Sequence, residues 1–364
     1  LQEYFWKDLT IQVREFGGIK TVIIRFNTIF MRTVIIYLWI TCIAMALGFH
    51  ACDSEIESVS IQNPLRADEQ YYENLRNYKK SDHAICFGWY SAYVNGDSPS
   101  MGNHFEGLPD SMDIVSLWMG IPEGKMLEEM YEVRKKKGTR FVLCSFCKIG
   151  DEYPHTDEGL EDFAMYFVNK INQYDLDGLD IDYEPGQDWV TGEVMMKFVK
   201  ILGQYIGPQS GTGKLLIMDY VSGAGPLKPT AEIEKYVDYF VCQTYKTTTA
   251  KKLQETYDYI SSWCPPKKWV ATEWIGEYWQ NGGLPFTEND GNTVDSWGNP
   301  LYSAIGMARW NPKQGRKGGF GGYYFDYEYN TTRPANQSIG DKEDKPIPYY
   351  SLRRGIQEQN PAVR

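Results

Sequence analysis

Basic residues are short in this chain of 364 residues. Against 48 Asp and Glu stand 37 Lys and Arg, for a net charge of -11. That excludes a nucleic-acid partner, because phosphate binding needs a basic stripe and none is present. Histidine is scarcer still. The four (His50, His83, His104 and His155) show no metal-ligand spacing, so neither a zinc centre nor any other metal or cofactor is expected. No GxGxxG and no GxxxxGKS/T follows an early strand-like run, which weakens any nucleotide-binding reading. No linker is evident after residue 80, so the remainder reads as one domain. What the chain has in excess is aromatics, 27 Tyr and 11 Trp among them. Such a surplus suits a large core, and equally a surface that stacks on flat, amphipathic ligands such as sugar rings.

The one long apolar run lies near the start. Met31 and Arg32 open a basic segment, "TVIIYLWITCIAMALGF" follows, and the run ends at His50-Ala51-Cys52. This is the layout of a secretory signal. Ala51 before Cys52 and "DSEIES" after it resemble a bacterial lipoprotein signal, which implies that Cys52 is lipidated and becomes the mature N-terminus. A transmembrane anchor is the alternative, since the run approaches the ~20 residues that spanning needs. The expected organisation is an upstream segment and signal over 1–51 with Met31 as start, a polar tether and first helix over 53–80, and a (β/α)8 barrel domain over 81–364. The expected location is an exported, outer-membrane or cell-surface lipoprotein whose only membrane contact is its lipid anchor. Of the remaining cysteines, Cys86, Cys144 and Cys242 lie in apolar runs and read as small buried hydrophobes. Cys144-x-x-Cys147 spells a redox motif, but on a strand residues three apart point to opposite faces.

From residue 84 onward, short β-rich runs alternate with amphipathic helical ones. The β runs fall at 84–90, 113–119, 140–146, 178–183, 214–220, 239–245, 268–274 and 319–325. Between them, Pro122 to Gly138, 158–174, 191–207 and 250–263 carry helical periodicity; the second places Leu160, Phe163, Ala164, Phe167, Val168 and Ile171 on one face. Eight nearly continuous apolar strands separated by helices point to a parallel sheet covered on both sides, hence an α/β protein of the closed (β/α)8 TIM-barrel type. A doubly wound open sheet is the alternative. Two connections, 91–110 and 275–300, are unusually long, and both follow strand C-termini, where barrel active sites are built.

The fourth run is "DGLDIDYEPG" (177–186). Asp180, Asp182 and Glu184 are spaced by two and share one strand face, with Leu179, Ile181 and Tyr183 on the other. The acids are expected to face the barrel interior, with Glu184 at the open mouth where Pro185-Gly186 ends the strand. Stacked carboxylates in a low-dielectric interior cannot all ionise, so at least one should hold a proton near neutral pH. An EF-hand frame with Gln173 in its first position is a poor alternative, because an Asp is required there. A solvated acidic edge strand is the other, but it leaves Leu179 and Ile181 in need of burial.

"DGLDIDYE" matches the DGxDxDxE signature and so resembles glycoside hydrolase family 18, the chitinases and endo-β-N-acetylglucosaminidases. The resemblance implies a retaining, substrate-assisted mechanism. Glu184 would be the general acid/base, Asp182 would hold the substrate's acetamido group, Asp180 would support Asp182, and Asp177 would be structural. Gln243 and Tyr245 on the sixth run look like the endoglycosidases that cleave the chitobiose core of N-glycans, and Tyr245 would bond the acetamido oxygen. The eighth run, "GGYYFDYEYN", has no Trp, unlike chitinases; Tyr324 and Asp326 there join Asp219, Gln243 and Tyr245 as substrate-binding candidates. Ser145-Phe146-Cys147-Lys148 replaces the family's Ser-x-Gly-Gly. The implied partner is an N-glycan or another N-acetylglucosamine-containing oligosaccharide. A non-catalytic glycan-binding protein and a chitinase are the rival readings. Trp118, Trp274 and Trp279 also read as packing residues, and Gln243 and Tyr245 as satisfied core polar groups.

Overall fold

The computed structural model describes residues 9–16, 19–26, 69–184, 189–221, 232–330 and 347–361. The chain divides into two compact units, Leu1–Ala67 and Asp68–Arg364. In the first, β1 (Leu9–Phe16) and β2 (Ile19–Phe26) pair antiparallel from Leu9↔Phe26 to Phe16↔Ile19. Met31, the apolar run after it and Cys52 lie outside the described residues, as do Pro185 and Gly186. Among the described residues no helix is long and apolar enough to cross a membrane.

In the second unit the eight apolar runs become eight parallel strands. These are β3 (Ile85–Tyr90), β4 (Ile114–Leu117), β5 (Arg140–Phe146), β6 (Gly178–Tyr183), β7 (Leu215–Val221), β8 (Tyr239–Gln243), β9 (Trp269–Glu273) and β10 (Gly319–Tyr323). They pair in chain order, and β10 closes onto β3 as a barrel. Helices α1 (Glu69–Lys80), α2 (Gly124–Lys137), α3 (Asp157–Gln173), α4 (Gly192–Leu202), α5 (Ala250–Asp258), α6 (Ser303–Arg309) and α7 (Tyr350–Gln359) lie between and around them. Their ends follow local chemistry. Gly138 stops α2 in the left-handed conformation, φ +71°, with its N–H bonded to Arg134 O at 2.9 Å. Thr156 caps α3 by accepting from Gly159 N at 3.1 Å.

The period-two alternation of the strands sorts side chains into two dry layers. Leu179, Ile181, Tyr183, Leu216 and Met218 join the layer under the helices. Phe87, Trp89, Ile114, Val142, Ile217, Val241 and Val270 fill the barrel interior. Burying each large aliphatic side chain is worth ~1.5–3 kcal/mol. A slip of one residue on β6 would forfeit this for Leu179 and Ile181 and drive Asp180 and Asp182 under the helices. The apolar face therefore holds the acids inward.

The two long connections are ordered. Residues 91–110 fold as three short 3-10 turns, anchored by buried Phe105 and by Tyr90 Oη donating to Gly102 O at 2.8 Å. Residues 275–300 are tied by the bridges Thr249↔Thr287, Pro285↔Tyr302 and Val294↔Pro300.

The acidic strand starts at a glycine for a reason. Gly178 has φ +150°, and a Cβ there would stand 2.1 Å from Leu215 O on the neighbouring strand. Gly178→Ala is expected to incur ~1–3 kcal/mol of backbone strain in addition to that clash. The thermal midpoint should fall accordingly, and an unchanged midpoint would show that the β6–β7 seam tolerates the extra atom.

Candidate active site

Asp180 sits at the centre of the barrel, fully buried. Two donors reach the same carboxylate oxygen, Ser116 Oγ at 2.6 Å and Trp89 Nε1 at 3.0 Å. Both come from inward positions of β4 and β3. The other oxygen, Oδ1, has no hydrogen-bond partner among the neutral groups described, and neither has Oδ2 of the buried Asp219. Cys144 Sγ and one carboxylate oxygen from each of Asp180 and Asp219 lie within 4.8 Å of one another.

Asp182 is the next rung up the strand and is 3% exposed. The β6–β7 register sets it directly beside Asp219. From β8, Gln243 Nε2 donates to Asp219 Oδ1 at 2.8 Å and reaches Asp182 Oδ1 at 3.5 Å. Three carboxyls thus meet in a site without water-like screening, and their proton affinities rise. Burial, followed by the charges of Asp180 and Asp182, pushes Asp219 well above the carboxylate range. Burial, then the charges of Asp180 and Glu184, lifts Asp182 to about 7. Burial lifts Asp180 to about 6, held back by its bonds from Ser116 and Trp89. Asp219 is accordingly the acid that keeps its proton, hydrogen-bonding the carboxyls of Asp182 and Asp180. A proton shared in this way satisfies the oxygens that neutral donors leave bare.

Glu184 stands at the end of β6 and is exposed. It lines a crevice with Phe146, Cys147, Lys148, Asp182, Tyr183 and Val190. The three sequence-spaced acids therefore run from the sealed interior to the open mouth. Asp177, at the foot of the strand, accepts from Phe141 N at 2.8 Å and pins β5 to β6. Gly178–Tyr183 form a strand paired with β5 on one side and β7 on the other, so the calcium-loop and edge-strand readings do not apply.

Around the mouth, aromatic rings form a continuous surface. Its hub is Tyr323, whose ring lies 5.3 Å from Trp118, 5.9 Å from Trp274 and 6.0 Å from Tyr245, the last nearly parallel at 15°. Phe146 extends it beyond Trp118 at 6.0 Å and is 43% exposed. Tyr245 is close enough to Asp219, Asp182 and Glu184 that burial and their charges push its phenol far up. The turn that carries it is fixed by Glu273, which is fully buried and accepts from the backbone N–H groups of Lys246 and Trp274 at 2.8 Å each.

Of the residues singled out in the sequence, the structure gathers Asp180, Asp182, Glu184, Asp219, Gln243 and Tyr245 in one cleft. Tyr324 and Asp326 stand apart. Tyr324 adopts φ +48° and turns away from the barrel line, and both residues line a neighbouring cavity with residues 91–103. Cys52 lies outside the described residues. Sequence reasoning passed over Trp89 and Ser116, which hold Asp180, and Tyr323, which floors the mouth. Ser116 carried a signal, being the single polar residue on an apolar strand. Cys144 and Cys147 take opposite faces, in the inner and outer layers respectively.

Comparison with known proteins gives this geometry relatives. Residues 71–321 match the family model described as the endo-β-N-acetylglucosaminidase EndoS TIM-barrel domain. Endo-β-N-acetylglucosaminidase F2 of Elizabethkingia meningoseptica is 29% identical over 300 residues, covering 73% of this chain and 78% of that protein. The solved endo-β-N-acetylglucosaminidase of Cordyceps militaris in apo form superposes with a TM-score of 0.59 at 25% identity, over 80% of this chain and 96% of that one. The solved chain BT1044 superposes with a TM-score of 0.65 at 23% identity, over 80% and 93%, and shares the fold.

The raised acids fix a pH dependence of stability. An acid whose affinity for its proton is higher in the folded state binds more protons folded than unfolded, from its ordinary value of 3.8 upward. Stability therefore falls as pH rises through that window, up to about 7 for Asp182. Asp219→Asn is expected to raise the thermal midpoint over wild type by more at pH 8 than at pH 4. Equal effects at the two pH values would contradict the shared-proton arrangement.

Proposed function

The chain belongs to the endo-β-N-acetylglucosaminidase family represented by the EndoS TIM-barrel domain, and from that premise we propose that it hydrolyses the β-1,4 bond within the N,N'-diacetylchitobiose core of N-glycans. The observation that carries the proposal is one stack of side chains. An exposed Glu184 stands above a buried Asp182 that is set beside Asp219 and approached by Gln243, next to an aromatic floor of Tyr323 and Tyr245.

In this reading an N-acetylglucosamine ring rests on Tyr323, and its acetamido group enters between Asp182 and Tyr245. Glu184 gives its proton to the glycosidic oxygen as the C1–O bond breaks. The acetamido oxygen attacks C1 in the same event, forming an oxazolinium ion. Asp182 is suited to stabilise the positive charge because the proton kept on Asp219 lets Asp182 carry the negative one. Water, deprotonated by Glu184, then adds to C1 with retention, and Glu184 recovers its proton. Gln243 and Tyr245, together with Tyr in place of a tryptophan on the last strand, favour the endoglycosidase over a chitinase. A binding protein without turnover would have no need of both Asp182 and Glu184.

We also propose export with lipidation at Cys52, supported by the basic-apolar segment after Met31 and by Ala51 beside the cysteine. Cys52→Ala should then shift the protein from the membrane fraction to the soluble one, and retention in the membrane fraction would argue against the anchor.

Incubation with high-mannose and complex-type glycoproteins, with mass analysis of the released glycans, tests the activity. Asp182→Asn and Glu184→Gln are each expected to lower turnover on the order of 100-fold or more. A thiazoline analogue of the N-acetylglucosamine oxazoline is expected to inhibit. Near-wild-type turnover in either variant would remove the assignment, and indifference to the thiazoline would remove acetamido participation.

A further inference from the structure

Cys144-x-x-Cys147 is a sequence motif that the proposed hydrolysis leaves unused, and the barrel splits it. Cys147 goes to the layer under the helices, while Cys144 joins the inner layer with the mouth rings Trp118 and Tyr323. The β5–β6 register sets Cys144 directly across from Asp180, and the β6–β7 register brings Asp219 beside Asp182, one rung higher. Three adjoining strands thus bring Cys144 Sγ and one carboxylate oxygen from each of Asp180 and Asp219 within 4.8 Å of one another. We propose that this cluster is an inhibitory site for a thiophilic divalent cation of the zinc or cadmium kind, entering from the mouth. No histidine takes part.

The donors suit such an ion. Asp180 and Asp219 are both fully buried, and each keeps one carboxylate oxygen, Oδ1 and Oδ2 respectively, without a hydrogen-bond partner. A proton retained among the acids neutralises one of their charges, whereas a divalent ion neutralises two and can meet both bare oxygens. Zinc takes thiolate sulfur at ~2.3 Å and carboxylate oxygen at ~2.0–2.2 Å, which puts tetrahedral ligand atoms roughly 3.5 Å apart. The three atoms therefore need close by little more than ~1 Å, within reach of side-chain rotation. Sulfur among the ligands selects zinc or cadmium over magnesium and calcium, which prefer oxygen alone. Cys144 is the partly exposed member of the three, so the ion has a way in. Water fills the fourth position, as in open zinc sites.

Binding breaks the Cys144 S–H bond and displaces the proton retained by the acids, and both protons leave to solvent. Asp182 then has a dication at its side in place of a neutral Asp219. The positive charge that the proposed reaction develops beside Asp182 would form against that ion, in a site with little screening. Binding rests on the cluster alone; inhibition rests on the hydrolase reading as well.

Cobalt(II), a spectroscopic stand-in for zinc, gains a sulfur-to-metal absorption band when a thiolate binds it. Titration of the full chain with cobalt is expected to give that band. Zinc should abolish it, magnesium should not, and Cys144→Ala should lack it. Glycan release by the wild type is expected to fall with zinc and to recover with a chelator. In Cys144→Ala, release without metal should stay within about twofold of wild type, and half-inhibition should need at least the ~10–100-fold more zinc that loss of a mere supporting group costs. If the alanine variant does not fold, iodoacetamide labelling of the wild type, read by peptide mass analysis, checks the same contact: zinc should slow labelling of Cys144. No band in the wild type, a band that survives in Cys144→Ala, equal zinc sensitivity of the two chains, or labelling of Cys144 indifferent to zinc overturns the site. A band that depends on Cys144 in a chain that releases no glycan supports the site and removes the hydrolase reading instead.

Discussion

Everything in the barrel mouth follows from three carboxyl groups packed where water cannot screen them. Two like charges 4 Å apart at the effective dielectric of a protein repel by about 4 kcal/mol. Against that, Trp89, Ser116 and Gln243 supply a handful of hydrogen bonds, each worth about 1.5–3 kcal/mol to a charged acceptor. The donors offset one charge, not three. The remaining repulsion is relieved by retaining a proton, and the register that seats Asp219 beside Asp182 decides where it stays. A fold that gathers these groups obtains a carboxylate of high proton affinity at Asp182 while Glu184, one rung higher, is left in contact with solvent.

The surrounding structure bears the cost of that arrangement. Leu179, Ile181 and Tyr183 lock the opposite face of β6 beneath the helices, and Gly178 lets the strand begin close against β7. Glu273 lies in the helix-facing layer, yet it governs the cleft through the backbone of Lys246 and Trp274, which frame Tyr245. Stability is given up at the acids and recovered in the two apolar layers, a division common at functional sites.

The sequence carried the barrel and the acid strand because both rest on local periodicity. Eight runs read from alternating apolar residues fall within two residues of the strands at every end, the two-residue differences lying at three C-termini, where the run 113–119 outlasts Leu117, 239–245 outlasts Gln243 and 319–325 outlasts Tyr323. The side-chain direction of Asp180 and Asp182 follows from the same period of two. What was illegible depends on neighbours distant in the chain. Asp219 was placed in the pocket from its own strand alone, and only the β6–β7 register shows that it stands beside Asp182. Trp89 and Ser116, set within apolar runs, drew no notice, yet barrel closure points them at Asp180. Tyr323 and Tyr324 are adjacent in sequence, but a backbone turn with φ +48° sends them into different cavities, taking Asp326 with Tyr324.

The shared proton is open to direct observation. In protein labelled with 13C at aspartate side chains, the carboxyl resonances of Asp180, Asp182 and Asp219 report protonation as pH is varied. The account predicts that at least one of them still titrates above pH 6 and that their curves are mutually distorted by coupling. Three independent titrations near the ordinary aspartate value of 3.8 would contradict it.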